Sequence, residues 1–135
     1  MQTELHPNVR GFLAQPLCKL ANQWGDVTTT ERVINPSDGS IIAEVAMGGT
    51  KEIDSAISAG ERAFAAWAGL RPEERARLLY LFADKLEAHS TELAQLESLD
   101  VGKPVSAAEE FDVPFGIECF RYFAGLCEQV EYNVP

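Results

Sequence analysis

Glu97, Asp100 and Lys103 fall within one short stretch, ESLDVGKP (97–104), where a long amphipathic run ends. Gly102 suits a left-handed helix-terminating position and Pro104 forbids continuation, so much of the stretch reads as a helix stop. Asp100 is not explained that way. A carboxylate at a helix C-terminus faces the partial negative charge of free carbonyls, a penalty of about 0.3–1 kcal/mol, and requires a compensating cation or donor. Lys103 is one candidate and a bound metal ion is another. Elsewhere the chemistry is sparse. AMGGT sets Gly48 and Gly49 between a strand and a helix N-terminus, where a phosphate could be cradled. Without the rest of a dinucleotide fingerprint it reads as a tight strand-to-helix turn. Cys18, Cys119 and Cys127 are odd in number and lack CxxC spacing, which indicates neither a disulfide framework nor a zinc site. Cys119 and Cys127, within IECFRYFAGLCEQV, read as small buried hydrophobes. His6 and His89 are isolated and read as surface or packing residues. No P-loop, HExxH or Ser/His/Asp set is present.

The chain of 135 residues is 46% hydrophobic and 24% charged, the balance of a soluble globular domain. Its 11 basic and 21 acidic residues leave a net charge of −10, which repels phosphate backbones and anionic bilayers, so neither nucleic acid nor a membrane is expected as a partner. No apolar stretch approaches the roughly 20 residues that cross a bilayer, and a cytoplasmic location is expected.

The elements that would position ESLDVGKP follow from periodicity. Val9, Phe12 and Leu13 between two prolines give a short helix that docks by one apolar face. CKLANQW, ERVIN and SIIAEVAM lean to β structure, with NPSDG as the reversing turn between the last two. Thr50 is the expected N-cap of a helix that carries Ile53, Ile57, Phe64 and Trp67 on one face and ends near Gly69. Pro72 opens a single helix over 72–101 with Leu79, Phe82, Leu86, Leu93 and Leu96 aligned. Ser106 and Glu109 form a capping box for a third helix through Phe111, Phe115, Cys119, Phe123, Leu126 and Val130, which Pro114 should kink.

NPSDGSIIAEV, AISAGERAFAAW, RPEERARLLYLFADKLEAHSTELAQLESLDVGKP and IECFRYFAG, in that order, resemble the N-terminal part of the NAD(P)-dependent aldehyde dehydrogenase superfamily. HPNVRGFLAQPLCKLANQW is similar to the start of its phenylacetaldehyde-type members. The resemblance implies an α/β fold, here a small antiparallel strand set plus three amphipathic helices. It divides the chain into an appendage (1–17), packing or oligomerisation strands (18–48) and the incomplete helical part of a cofactor-binding domain (49–135). The activity it implies is oxidation of an aldehyde to a carboxylic acid with NAD or NADP, by a homo-oligomer. The family's nucleophilic cysteine, oxyanion asparagine, general-base glutamate and nucleotide-binding loops follow the region matched here, so these 135 residues alone are expected to be inactive. A truncated, non-catalytic helical module that binds full-length relatives is the alternative.

The resemblance also assigns two sites. Some family members hold a monovalent cation, Na+ or K+, with the carboxylate that matches Asp100 and the backbone carbonyl that matches Ile34. The neighbouring Val33, a hydroxyl residue in some relatives, supplies no oxygen. Phe115 falls where a substrate-tunnel side chain is expected, and an aromatic wall there suits an aromatic or bulky apolar aldehyde. Phe111, Phe115 and Phe123 also lie at core spacing, so Phe115 reads equally as a packing residue. Pro114 departs from the family pattern.

Overall fold

A computed structural model of the chain describes residues 4–14 and 29–129. The expected strand CKLANQW, Cys18, Val130 and the final EYNVP lie outside them. In order, the elements are α1 (Pro7–Leu13), β1 (Thr30–Ile34), β2 (Ile41–Ala46), α2 (Thr50–Ala68), α3 (Pro72–Ala88), α4 (Ser90–Val101), the short α5 (Val105–Ala107), a π-helical turn (Ala108–Asp112) and α6 (Val113–Gln129). This is the α/β combination expected, with ERVIN and SIIAEVAM paired as an antiparallel hairpin. Among the described residues no helix is long and apolar enough to cross a membrane.

NPSDG closes the hairpin as its side chains dictate. The Asn35 carboxamide accepts from the Ser37 amide at 2.9 Å, and Asp38 accepts from both the amide and the hydroxyl of Ser40. These bonds hold the Asp38 carboxyl below its usual range, the hydroxyl contributing most. Gly39 takes φ 75°, a left-handed conformation that a side chain disfavours. Val33 pairs with Ala43 but Ile34 with Ile41, so Ile42 is an extra residue, a bulge that turns the strand just before the turn.

The helix boundaries follow local chemistry, with two corrections. The N-cap of α2 is Gly49 rather than Thr50, because Glu52 reaches back and accepts the Gly49 amide at 2.7 Å. Helix 72–101 is two helices. His89, at φ −116° and ψ 22°, ends α3 and caps α4, and the sequence there (His89, Ser90, Thr91) favours caps over helix interiors. Pro72 opens α3 as expected, with the Arg71 amide donating to Glu74 at 2.9 Å. Gly69 and Gly102 close α2 and α4.

The core is a seam of small side chains. Ala76, Ala83, Ala94, Ala108 and Ala124 are buried, together with Ile117 and, on α1, Val9. Alanines let α3, α4 and α6 approach closely, and the larger residues interlock at the rims: Phe82 meets Phe120 edge-to-face at 4.7 Å. The apolar stripe of α2 is not buried; Ile53, Ile57, Phe64 and Trp67 are all exposed. The aligned face expected of the third helix is overturned as well. Phe111, Phe115 and Phe123 face out, and Ala108, Ile117 and Ala124 face in. Cys119 and Cys127 are free and half-buried rather than buried.

Candidate functional site

The stop of α4 is built by its own residues. Gly102 sits at φ 80° with its amide donating to the Ser98 carbonyl at 2.9 Å, and the Ser98 hydroxyl donates to the Lys103 carbonyl at 2.6 Å. A Cβ on Gly102 would stand 2.6 Å from Pro36 Cγ. The hairpin turn therefore rests directly on the helix stop. This contact brings the ends of two segments together, one carrying Ile34 and the other carrying Asp100.

Lys103 does not pair with Asp100. Its ammonium lies 2.8 Å from Glu97 Oε1 and 2.6 Å from Asp112 Oδ2, clamping α4 to the last residue of the π-helical turn. The two carboxylates, Asp112 first, raise the Lys103 pKa above its ordinary value. The correction has a geometric reason: with Gly102 left-handed, the chain turns away from the helix axis and carries Lys103 toward the π-helical turn. Asp100 is exposed, and no described residue pairs with it. Ile34, also exposed, ends β1 beside the bulge.

The capping box expected at Ser106 and Glu109 is absent; Pro104 caps α5, with no side-chain bond. Residues Ala108–Asp112 wind as a π-helix just ahead of Pro114. Pro114 has no amide hydrogen and its ring would crowd the carbonyl one turn back, and a wider turn ahead of it relieves both. On this turn and the first turn of α6, the Phe111 and Phe115 rings stack nearly parallel, 4° apart with centroids at 6.2 Å, and are 70% and 63% exposed. The family resemblance singled out Phe115, whereas spacing read Phe111 and Phe115 alike as core. The signal that would have found Phe111 is the i, i+4 relation of two aromatics beside a proline.

Two further clusters escaped the sequence reading. His6 and His89, isolated in sequence, converge on Glu92: His89 Nδ1 lies 3.2 Å from Glu92 Oε1 and His6 Nδ1 3.8 Å. The Asn8 carboxamide donates to the same oxygen at 2.9 Å, and the His6 amide donates to Gln95 at 2.7 Å, so α1 docks on α4 through polar bonds around buried Val9. The Asn8 bond, then the residue's own amide and His89, hold the Glu92 carboxyl down at about 2. On α6, Arg121 Nη2 lies 2.7 Å from Glu87 Oε2 and 3.4 Å from Asp84 Oδ1, with Glu118 beside Nη1. It ties the FRYFAG segment to α3.

The N-terminus of α2 does not fit a nucleotide phosphate. Glu52 already occupies the Gly49 amide, and its negative charge opposes a second anion.

Residues 24–134 match the aldehyde dehydrogenase family. The chain belongs to that family and forms the N-terminal part of its fold. It is similar to the cytosolic 10-formyltetrahydrofolate dehydrogenase of Mus musculus, 39% identical over 104 residues, which are 76% of this chain and 12% of that protein. A mitochondrial aldehyde dehydrogenase of Leishmania tarentolae is 42% identical over 106 residues, 78% of this chain and 21% of its own. The NAD+ complex of a Bacillus cereus aldehyde dehydrogenase superposes with a TM-score of 0.85 at 37% identity, covering 90% of this chain and 26% of that one. The chain thus spans between an eighth and about a quarter of these relatives.

Proposed function

We propose that the protein is the N-terminal portion of a cytoplasmic, homo-oligomeric aldehyde dehydrogenase subunit that oxidises an aromatic aldehyde to its carboxylic acid with NAD(P)+. The observation that carries the aldehyde class is the stacked Phe111–Phe115 pair, two large rings left uncovered on the surface that also carries FRYFAG. A flat aromatic wall favours a planar, apolar substrate through offset stacking and burial. NAD(P)+ is supported by the NAD+ complex of the Bacillus cereus relative. The cofactor supplies the hydride acceptor when bound. The role of this chain is to present the aromatic wall and hold the helices behind it; its α2 N-terminus takes no part in phosphate binding.

The contact between Gly102 and Pro36 supports a monovalent-cation site at Asp100 and the Ile34 carbonyl, because it seats the hairpin turn against the helix end that needs a positive charge.

The test is NAD(P)H formation by the complete subunit. Phenylacetaldehyde should be turned over with a higher kcat/KM than acetaldehyde, and Phe115→Ala should reduce that preference about tenfold, the equivalent of losing part of one buried aromatic contact. The 135 residues alone should produce no NAD(P)H. A complete subunit that prefers acetaldehyde would overturn the aromatic assignment.

A further inference from the structure

Resting on the reading of Phe111 and Phe115 as a substrate wall, we propose that Lys103 is the positioning residue of that wall: by drawing Glu97 and Asp112 onto one ammonium, it fixes where the π-helical turn ends and so where the two rings stand. Three observations lead there. First, among the described residues the rings are exposed and stack only on each other, so packing against other described side chains does not set their place; the backbone beneath them does. Second, that backbone is weakly held from within. A π-helical turn is rare and persists only as a single widened turn within a helix, and Pro114 withdraws one donor just after it. Third, Lys103 is anchored at both ends. Its carbonyl takes the Ser98 hydroxyl at 2.6 Å, left-handed Gly102 before it abuts Pro36, and its ammonium reaches Asp112, the residue beside Phe111 and three before Phe115.

The clamp differs from the chain's ordinary surface ion pairs. Arg32 and Glu44 are 67% and 58% exposed at 3.5 Å, whereas the Lys103 side chain is 25% exposed and its partners Glu97 and Asp112, 40% and 38% exposed, both lie closer than 3 Å. Removing the ammonium does more than delete a bond. It leaves two carboxylates that had shared one nitrogen, and their repulsion drives the end of the π-helical turn away from α4.

The experiment uses the complete subunit and the variants Lys103→Met, Lys103→Arg, Asp112→Asn and Phe115→Ala, assayed with phenylacetaldehyde and acetaldehyde. Lys103→Met should raise KM for phenylacetaldehyde about tenfold while changing kcat and the acetaldehyde KM far less, as expected when a wall is misplaced rather than the chemistry impaired. Lys103→Arg, which can still bridge two carboxylates, should restore most of the preference. Combining Lys103→Met with Phe115→Ala should cost no more preference than Phe115→Ala alone, because the lysine acts through the ring. Amide hydrogen exchange at Phe111 and Asp112 should quicken in Lys103→Met. If Lys103→Met does not fold, Asp112→Asn, which removes the pairing without leaving two bare carboxylates, should show the same KM shift in milder form. Unchanged exchange at Phe111 and Asp112 would overturn the positioning role whatever Phe115 does. Faster exchange with no effect of Phe115→Ala on preference would instead overturn the wall itself, and with it the specificity role of the lysine.

Discussion

The α3–α4–α6 slab and the α2 helix carry similar amounts of apolar sequence but use it in opposite ways. In the slab, the buried residues are alanines plus Ile117 and the polar Gln95, and large side chains sit half-covered at the rims. In α2 no residue is buried, although its stripe of Ile53, Ile57, Phe64 and Trp67 is the cleanest in the chain. Periodicity marks a face that will be covered, whereas residue size decides how closely two helices approach once they meet. The slab is therefore closed by contacts within this chain, and the α2 stripe is left uncovered among the described residues.

Enlarging a seam residue should break this contrast most sharply. Ala83→Leu inserts three carbons where no space is left and should cost about 1–3 kcal/mol of unfolding free energy, while Ile57→Ala should cost less than about 0.5 kcal/mol in this chain. Chemical denaturation of the two variants measures both. A large loss for Ile57→Ala would show that α2 is already packed.

Gly102 and Gly39 sharpen the boundary between the regions. Both are left-handed, at φ 80° and 75°, so alanine at either position should cost about 1–2 kcal/mol for handedness. At Gly102 the added Cβ also meets Pro36, whereas at Gly39 it meets nothing within 4 Å. Gly102→Ala should therefore be the worse of the two, and Pro36→Ala should recover only the difference. Equal losses would mean that the hairpin turn does not press on the helix stop.

Glu92 tests how firmly α1 joins the slab. Its folded-state pKa, about 2, lies below the unfolded value, so the stability it contributes is complete above about pH 5 and is lost as pH falls toward 2. Glu92→Gln should lower the melting temperature at pH 7 and flatten its decline between about pH 5 and 2. Parallel pH profiles for wild type and variant would show that Glu92 carries none of this dependence.

Much of this architecture was legible in the residues. Pro72, Gly69, Gly102 and NPSDG act locally, so the start of α3, the C-terminal ends of α2 and α4 and the hairpin turn follow from chemistry within a few positions. The break at His89 and the π-helical turn were not legible. Both are choices among nearly equal backbone states: the capping preference of His89–Thr91 and the wide turn that accommodates Pro114 are each compatible with an unbroken α-helical pattern of apolar residues. The partner of Lys103, left open between Asp100 and none, was not legible for a related reason: three acids lie within reach of a flexible side chain, and the direction imposed by Gly102 favours Glu97 and Asp112. Of the candidate site residues, Phe115 was singled out by the family resemblance and Phe111 was read only as core, because two aromatics at i, i+4 that stack on each other have the same spacing as two that pack inward.

The smallest expected effect lies where the hairpin meets the slab. With Lys103 committed elsewhere, Asp100 stands at the C-terminal end of α4 with no described cation beside it, and the helix dipole disfavours it by about 0.3–1 kcal/mol. Sodium or potassium held between Asp100 and the Ile34 carbonyl would offset that term. Binding to the folded state alone stabilises it by mass action, so the gain saturates with cation concentration, whereas general screening grows smoothly with ionic strength. The measurement is the melting temperature of the complete subunit titrated with potassium chloride or choline chloride at matched ionic strength. Wild type should show a saturable gain in potassium that choline does not reproduce, and Asp100→Asn should lose that part while keeping the screening part. Lys103→Ala should leave the saturable part in place, since its ammonium serves the π-helical turn. Equal responses of wild type to the two salts would remove the cation, and Asp100→Asn should then raise stability by the dipole term alone.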